Sequence, residues 1–210
     1  MKDVFDKRME DLSVAADQYP WENRDAYAWY LAQTYYYLIH STRLLGLGAA
    51  RFSAGEEGLH MRYLEHAREE KGHHLLALKD LENLGYDIKD FPEMPATRLV
   101  YEPQYYKIEF LDPCALFGYI FALEGISARK AEELYKLVET HYGRTPANFL
   151  RVHGKADPDH LEKAFQFYDS LDDRRKKIIR DNFEQSCMAL VNFMDRNAEM
   201  ALSAQEVRAA

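Results

Sequence analysis

The sequence predicts an all-α fold: one domain, residues 1–210, built as a bundle of about seven helices. Three observations predict it. Apolar residues recur at helical spacing along most of the chain. No pair of alternating segments and no Asn-Gly or Asp-Gly turn marks a hairpin. Glycine and proline fall where helices should stop or start, with no repeat, low-complexity tract or interdomain linker between them. At 210 residues, 47% hydrophobic and 30% charged, the chain is long enough to bury a single core and too apolar to remain disordered.

The first element is a short amphipathic segment from about Val4 to Gln18, which stops before Tyr19-Pro20. A long helix follows from about Glu22 to Phe52 and carries Tyr27, Tyr30, Tyr35, Tyr36 and Tyr37. A third runs from about Gly55 to Leu84, with Gly85 as its stop. Asp87 to Pro103 holds Pro92, Pro95 and Pro103 and reads as a loop with one short helix after Pro95. Asp112-Pro113 opens the next helix, a side-chain acceptor for free N–H groups followed by proline at the first helical position. That helix extends to about His141 and ends at Tyr142-Gly143. Pro146 starts a short helix through His153, Gly154 to Pro158 interrupt, and a further helix covers Pro158 to Leu171. The last begins at Asp172 or Asp173 and continues to about Ala204.

A net charge of -8 argues against a nucleic-acid partner, which requires clustered Lys and Arg on one face. The basic run Arg174 to Lys177 follows Asp172 and Asp173 and reads as a solvated helix face. Met1 to Leu12 has no apolar signal core. The longest apolar run, Cys114 to Leu123, falls well short of the ~20 residues that span a bilayer. The expectation is therefore a soluble, cytoplasmic protein without membrane contact. Cys114 and Cys187, far apart in apolar stretches, read as buried thiols of a reducing compartment. A small-molecule substrate and a homodimer complete the expected partners.

Three regions carry residues suited to metal chemistry. His66, Glu70 and His73 stand at i, i+4 and i+7, which puts the last two each within about 40° of His66 on a helix. The same face continues into Leu84, so it should point inward. The structural alternative is a polar face on which Glu69 and Glu70 pair with Arg68 or Lys71. His153, Asp157 and His160 repeat the spacing, although Asp157 before Pro158 also fits a helix N-cap. Glu124 lies inside the apolar stretch Leu116 to Gly125, where a buried carboxylate needs a cation. Either Arg43, Arg51 or Arg129 could supply it, or a metal ion, for which Gly125 would leave room. One bundle interior holding all three sets would satisfy imidazole and carboxylate together, the donors that divalent iron or manganese accepts.

Glu69-Glu70-Lys71-Gly72-His73-His74 leading to Leu84-Gly85, the segment Leu123-Glu124-Gly125 and the pattern His153-x-x-x-Asp157-x-x-His160 resemble the non-haem branch of the haem-oxygenase-like superfamily. This branch comprises di-iron oxidases, or iron-containing redox enzymes, and includes the chlamydial death-domain-associating protein; TenA and PqqC proteins are more distant relatives. The likeness covers roughly Tyr30 to Asp172. It implies a haem-oxygenase-like bundle and an enzyme in which two irons, or manganese in their place, activate dioxygen to oxidise a small organic substrate. His73, Glu124, His153, Asp157 and His160 are the implied ligands, with Glu70 as the carboxylate of the third helix and Glu69 in reserve. His66 stands where some relatives place a Glu. TenA-like chemistry without a redox metal is the alternative, although neither cysteine lies in a TenA-like motif. His40, which a haem enzyme could use as an axial ligand, reads instead as hydrogen-bonded to a tyrosine.

Overall fold

The computed structural model describes the backbone of residues 1–209 and the side chains of all except 155–160, 163 and 204–210. Its α-helices are α1 (Lys2–Gln18), α2 (Arg24–Leu38), α3 (Ser41–Arg51), α4 (Glu57–Glu69), α5 (His73–Asn83), α6 (Pro95–Phe110), α7 (Leu116–Tyr142), α8 (Asn148–Ser170) and α9 (Asp173–Ala209). Short 3₁₀ turns precede α4, α6, α7 and α8, and no strand occurs among the described residues. The all-α bundle is as expected, with more helices than the sequence suggested.

Each difference has a local cause. The long second helix divides into α2 and α3 at Ile39 and His40, where His40 N–H tightens the last turn by donating to the Tyr37 carbonyl at 3.0 Å. The His40 ring then stacks on Tyr101 at 3.8 Å and places Nδ1 2.8 Å from the Tyr105 hydroxyl, the tyrosine pairing expected of it. The third helix divides into α4 and α5 at Gly72, whose φ of +88° only glycine adopts readily. The stretch read as a mostly irregular loop contains α6, with Pro95 at its first position. Pro103 lies inside α6, and Leu99, whose carbonyl loses its usual donor, is on the exposed side where water can replace it. The break expected over Gly154 to Pro158 does not form, and α8 is continuous. Helix α8 buries Phe149, Leu150, Ala164 and Tyr168, and this packing outweighs roughly 1 kcal/mol for a helical Gly and 3 kcal/mol for a Pro.

The start of α7 is as expected: Asp112 Oδ1 accepts from Cys114 N–H at 3.0 Å, and Pro113 opens the turn. Helix α7 is the spine of the bundle, packed on α8, α9 and α1. Gly125 serves that packing. A Cβ there would lie 2.7 Å from Met9 Sδ and 2.9 Å from Phe5 Cζ, so the glycine admits α1 and leaves no room for a metal ion. Phe5, Phe121, Phe165 and Phe183 form an aromatic core between α1, α7, α8 and α9. Cys114 and Cys187 are buried free thiols. No helix among the described residues is long and apolar enough to cross a membrane.

Candidate metal centre

The last turn of α4 presents His66 inward, and its C-terminal cap is Glu70, one turn later. Both are buried, with His66 Nε2 3.7 Å from Glu70 Oε1. Gly72 then reverses the chain, so that His73, the first residue of α5, brings Nδ1 to 3.2 Å from the other Glu70 oxygen. From the middle of α7, Glu124 places Oε1 2.9 Å from His66 Nε2. Helix α8 contributes His153, whose buried ring meets His73 edge-on at 4.8 Å between centroids and packs on Phe149 at 4.5 Å. Five of the residues singled out in the sequence therefore converge from four helices. Asp157 and His160 lie outside the described side chains.

The alternatives resolve in the same region. Arg43 donates to the Ile39 carbonyl, Arg51 pairs with Glu109, and Arg129 reaches Asp6 at 2.6 Å, so none of the three candidate arginines neutralises Glu124. Glu70 faces His66 and His73 rather than Arg68 or Lys71. Glu69 faces Arg62, with Nη1 at 3.5 Å from Oε2, and Glu70 is the carboxylate within the cluster.

Electrostatics couple these groups. Burial would depress the His66 imidazole, but the Glu124 carboxylate and then Glu70 outweigh it and hold His66 at about 9. Burial would raise Glu70, but the His66 and His73 imidazoles hold it well below the usual carboxylate range. One atom from each of His66, Glu70 and Glu124 can be chosen so that all lie within 4.8 Å of one another. Nitrogen and oxygen ligands about 2.0–2.2 Å from a shared ion lie at most about 4.4 Å apart, so a few tenths of an ångström of closure suffices. The donor set fits iron or manganese.

Sequence reasoning passed over one residue that builds this site. Asp80 is fully buried on α5, seven residues after His73 and therefore on the same face. Its Oδ2 accepts from Phe149 N–H at 2.7 Å, which caps the start of α8 four residues before His153. Burial raises its carboxyl to about 6 against the Phe149 N–H, which lowers it. The signal was present, because an aspartate among Ala77, Leu81 and Leu84 on an inward face needs a specific donor.

Known structures share this architecture. A domain of unknown function with a haem oxygenase-like fold from Shewanella denitrificans superposes with a TM-score of 0.84 at 20% identity, over 95% of this chain and 92% of that one. A TenA homologue from Pseudomonas syringae pv. tomato gives 0.74 at 12% identity, with 92% of each chain covered. A CADD-like protein of unknown function from Nostoc punctiforme gives 0.66 at 18%, covering 95% and 96%. At these identities the likeness establishes a haem-oxygenase-like fold. No curated protein matches the chain. Residues 28–191 match the family model described as iron-containing redox enzyme, which takes in all five converging residues, and the chain belongs to that family.

Proposed function

We propose that the protein is a non-haem di-iron oxidase that uses dioxygen to oxidise a small organic substrate. The convergence of His66, Glu70 and Glu124 in a buried pocket, with His73 and His153 adjoining, carries the proposal. His66, Glu70 and Glu124 suit one ion. A second is assigned to His73 and His153 with positions 157 and 160, four and seven residues further along the continuous α8. Bound iron would supply the oxygen and electron chemistry. The chain's own contribution is to fix the ligands. Asp80 anchors α8 against α5, Gly72 turns His73 towards Glu70, and the apolar residues of α3 and α7 keep bulk water from the pocket.

A TenA-like reaction through a cysteine nucleophile is less well supported. Burial pushes the Cys114 thiol far up and Cys187 up to about 12, which leaves almost no thiolate at neutral pH. Two buried free thiols also accord with a cytoplasmic setting. Phe110 and Tyr106, 72% and 60% exposed and 5.1 Å apart on the outer side of α6, support the homodimer, which sedimentation of wild type and Phe110→Glu would examine.

The deciding experiment is anaerobic ferrous loading followed by elemental analysis and exposure to oxygen. Two irons per chain and a new absorption band on oxygenation are expected. Absence of bound iron or manganese, or a Soret band from bound haem, would overturn the proposal.

A further inference from the structure

The metal cluster opens onto a cavity of about 110 Å³ whose walls are almost entirely hydrocarbon, among them Leu44, Leu45, Leu116, Ile120 and Leu123. An apolar cavity of about 150 Å³ holds the six heavy atoms of benzene, so this smaller space suits a compact body of about four or five heavy atoms. Two hydroxyls on its wall, those of Tyr119 and Ser127, lack a hydrogen-bond partner among the described residues, and of the two residues only the tyrosine is buried. Tyr119, on α7 and 4% exposed, lines the cavity, and its hydroxyl has no hydrogen-bond partner among the described residues. The equally buried Tyr19, Tyr27 and Tyr63 donate to the carbonyls of Ala26, Pro146 and Pro113 at 2.6, 2.7 and 2.9 Å. A buried hydroxyl left without a partner destabilises the fold, and Phe would fill the same space without that cost.

We infer that the Tyr119 hydroxyl is a substrate-recognition group. It donates to an oxygen acceptor on a compact, otherwise hydrocarbon substrate held in this cavity beside Glu70 and Glu124. The molecule is neutral, because an ion would lose its hydration against walls that are almost entirely hydrocarbon. Hydrocarbon contact supplies affinity, and the Tyr119 hydrogen bond sets which end of the molecule faces that hydroxyl. The substrate role rests on the oxidase reading, whereas the binding itself does not and is measured on metal-free protein.

Cyclobutanone and methylcyclobutane have the same size and differ in a carbonyl oxygen for a methyl group. Trp21, which lines the cavity, reports occupancy by its fluorescence. The wild type should bind cyclobutanone about tenfold more tightly than methylcyclobutane, a difference of about 1.4 kcal/mol. Tyr119→Phe should bind the two equally, with an unliganded Tm equal to or above that of the wild type. Retention of the preference in Tyr119→Phe, or a Tm lower by several degrees, would show a structural hydroxyl and overturn the inference. A wild-type crystal under xenon pressure provides a test without any substitution. Xenon among Leu44, Leu45 and Leu116 supports a ligand chamber, and a cavity that takes up neither xenon nor either ring compound would refute it.

Discussion

Between α6 and α9 the bundle buries the ammonium of Lys107, which donates to Asn182 Oδ1 and Gln185 Oε1, each at 2.6 Å. Asn182 in turn donates to Gln104 Oε1 at 2.7 Å and to the Ala115 carbonyl at 2.6 Å. Between α4, α5, α7 and α8 the same bundle buries two carboxylates and two imidazoles, with the half-buried His73 beside them. The first region closes on itself, because one cation meets neutral oxygens whose own amides find further acceptors. The second gathers side chains that can all donate electron pairs once His66 releases its proton, since a carboxylate only accepts hydrogen bonds and a neutral imidazole keeps one lone pair. The amount of buried polarity is similar in kind. Its composition separates a structural tie from a cation site.

The largest expected effect distinguishes the two regions directly. Ferrous iron at one hundred times its Kd should raise the unfolding free energy of the wild type by about 2.7 kcal/mol. Glu124→Gln, which keeps the shape and removes the charge facing His66, should abolish that gain and the bound iron. Lys107→Met should do the reverse. It leaves Asn182 and Gln185 without their donor, lowering stability by about 1–3 kcal/mol in urea unfolding, with full iron content. Loss of iron in Lys107→Met, or an intact iron-dependent gain in Glu124→Gln, would erase the distinction.

The two regions also differ in how far the sequence announces them. His66, Glu70 and His73 were readable from helical spacing, although the helix that supports the spacing ends at Glu69. Lys71-Gly72 carried the stop signal for that break, and the Glu70 carboxylate still bridges it to His73. Glu124 was conspicuous because charge is costly in an apolar run, yet only packing shows which partner it has. The Lys107 network was invisible. Gln104, Lys107, Asn182 and Gln185 look like ordinary polar helix residues until α6, placed within a stretch of three prolines, packs along α9. Gly125 misled for the same reason. A small residue beside a candidate ligand carboxylate served the approach of α1, which no local pattern specifies.

Asp80 lies behind the cluster and gives a smaller effect that sharpens the comparison. Asp80→Ala removes the acceptor for Phe149 N–H at the start of α8 and should cost about 1–2 kcal/mol, as the loss of a helix cap does. His153 follows one turn later, so iron affinity should fall roughly tenfold, the scale of losing a support behind a ligand. Asp80→Asn retains a side-chain oxygen and should recover most of both losses. Iron titration of the two variants measures this, and equal affinity in Asp80→Ala and the wild type would mean that α8 holds His153 without that anchor.

The last effect is a pH dependence confined to the Lys107 region. Burial lowers the Lys107 ammonium from its ordinary value of 10.5 to about 8 in the folded protein. Between these values the unfolded chain binds the proton and the folded chain releases it, so stability rises with pH across that window. Below about 8 both states are protonated and the cost of burying the charge is constant. Buried Tyr19, Tyr27 and Tyr63 act in the opposite sense above 10, because their hydroxyls are raised by burial and the unfolded chain ionises first. They are common to the wild type and Lys107→Met, so the difference between the two proteins isolates the lysine. Urea unfolding at successive pH values from 7 to 10 should find the stability advantage of the wild type growing above about pH 8. A constant difference would mean that the amide oxygens of Asn182 and Gln185 hold the ammonium as well as water does.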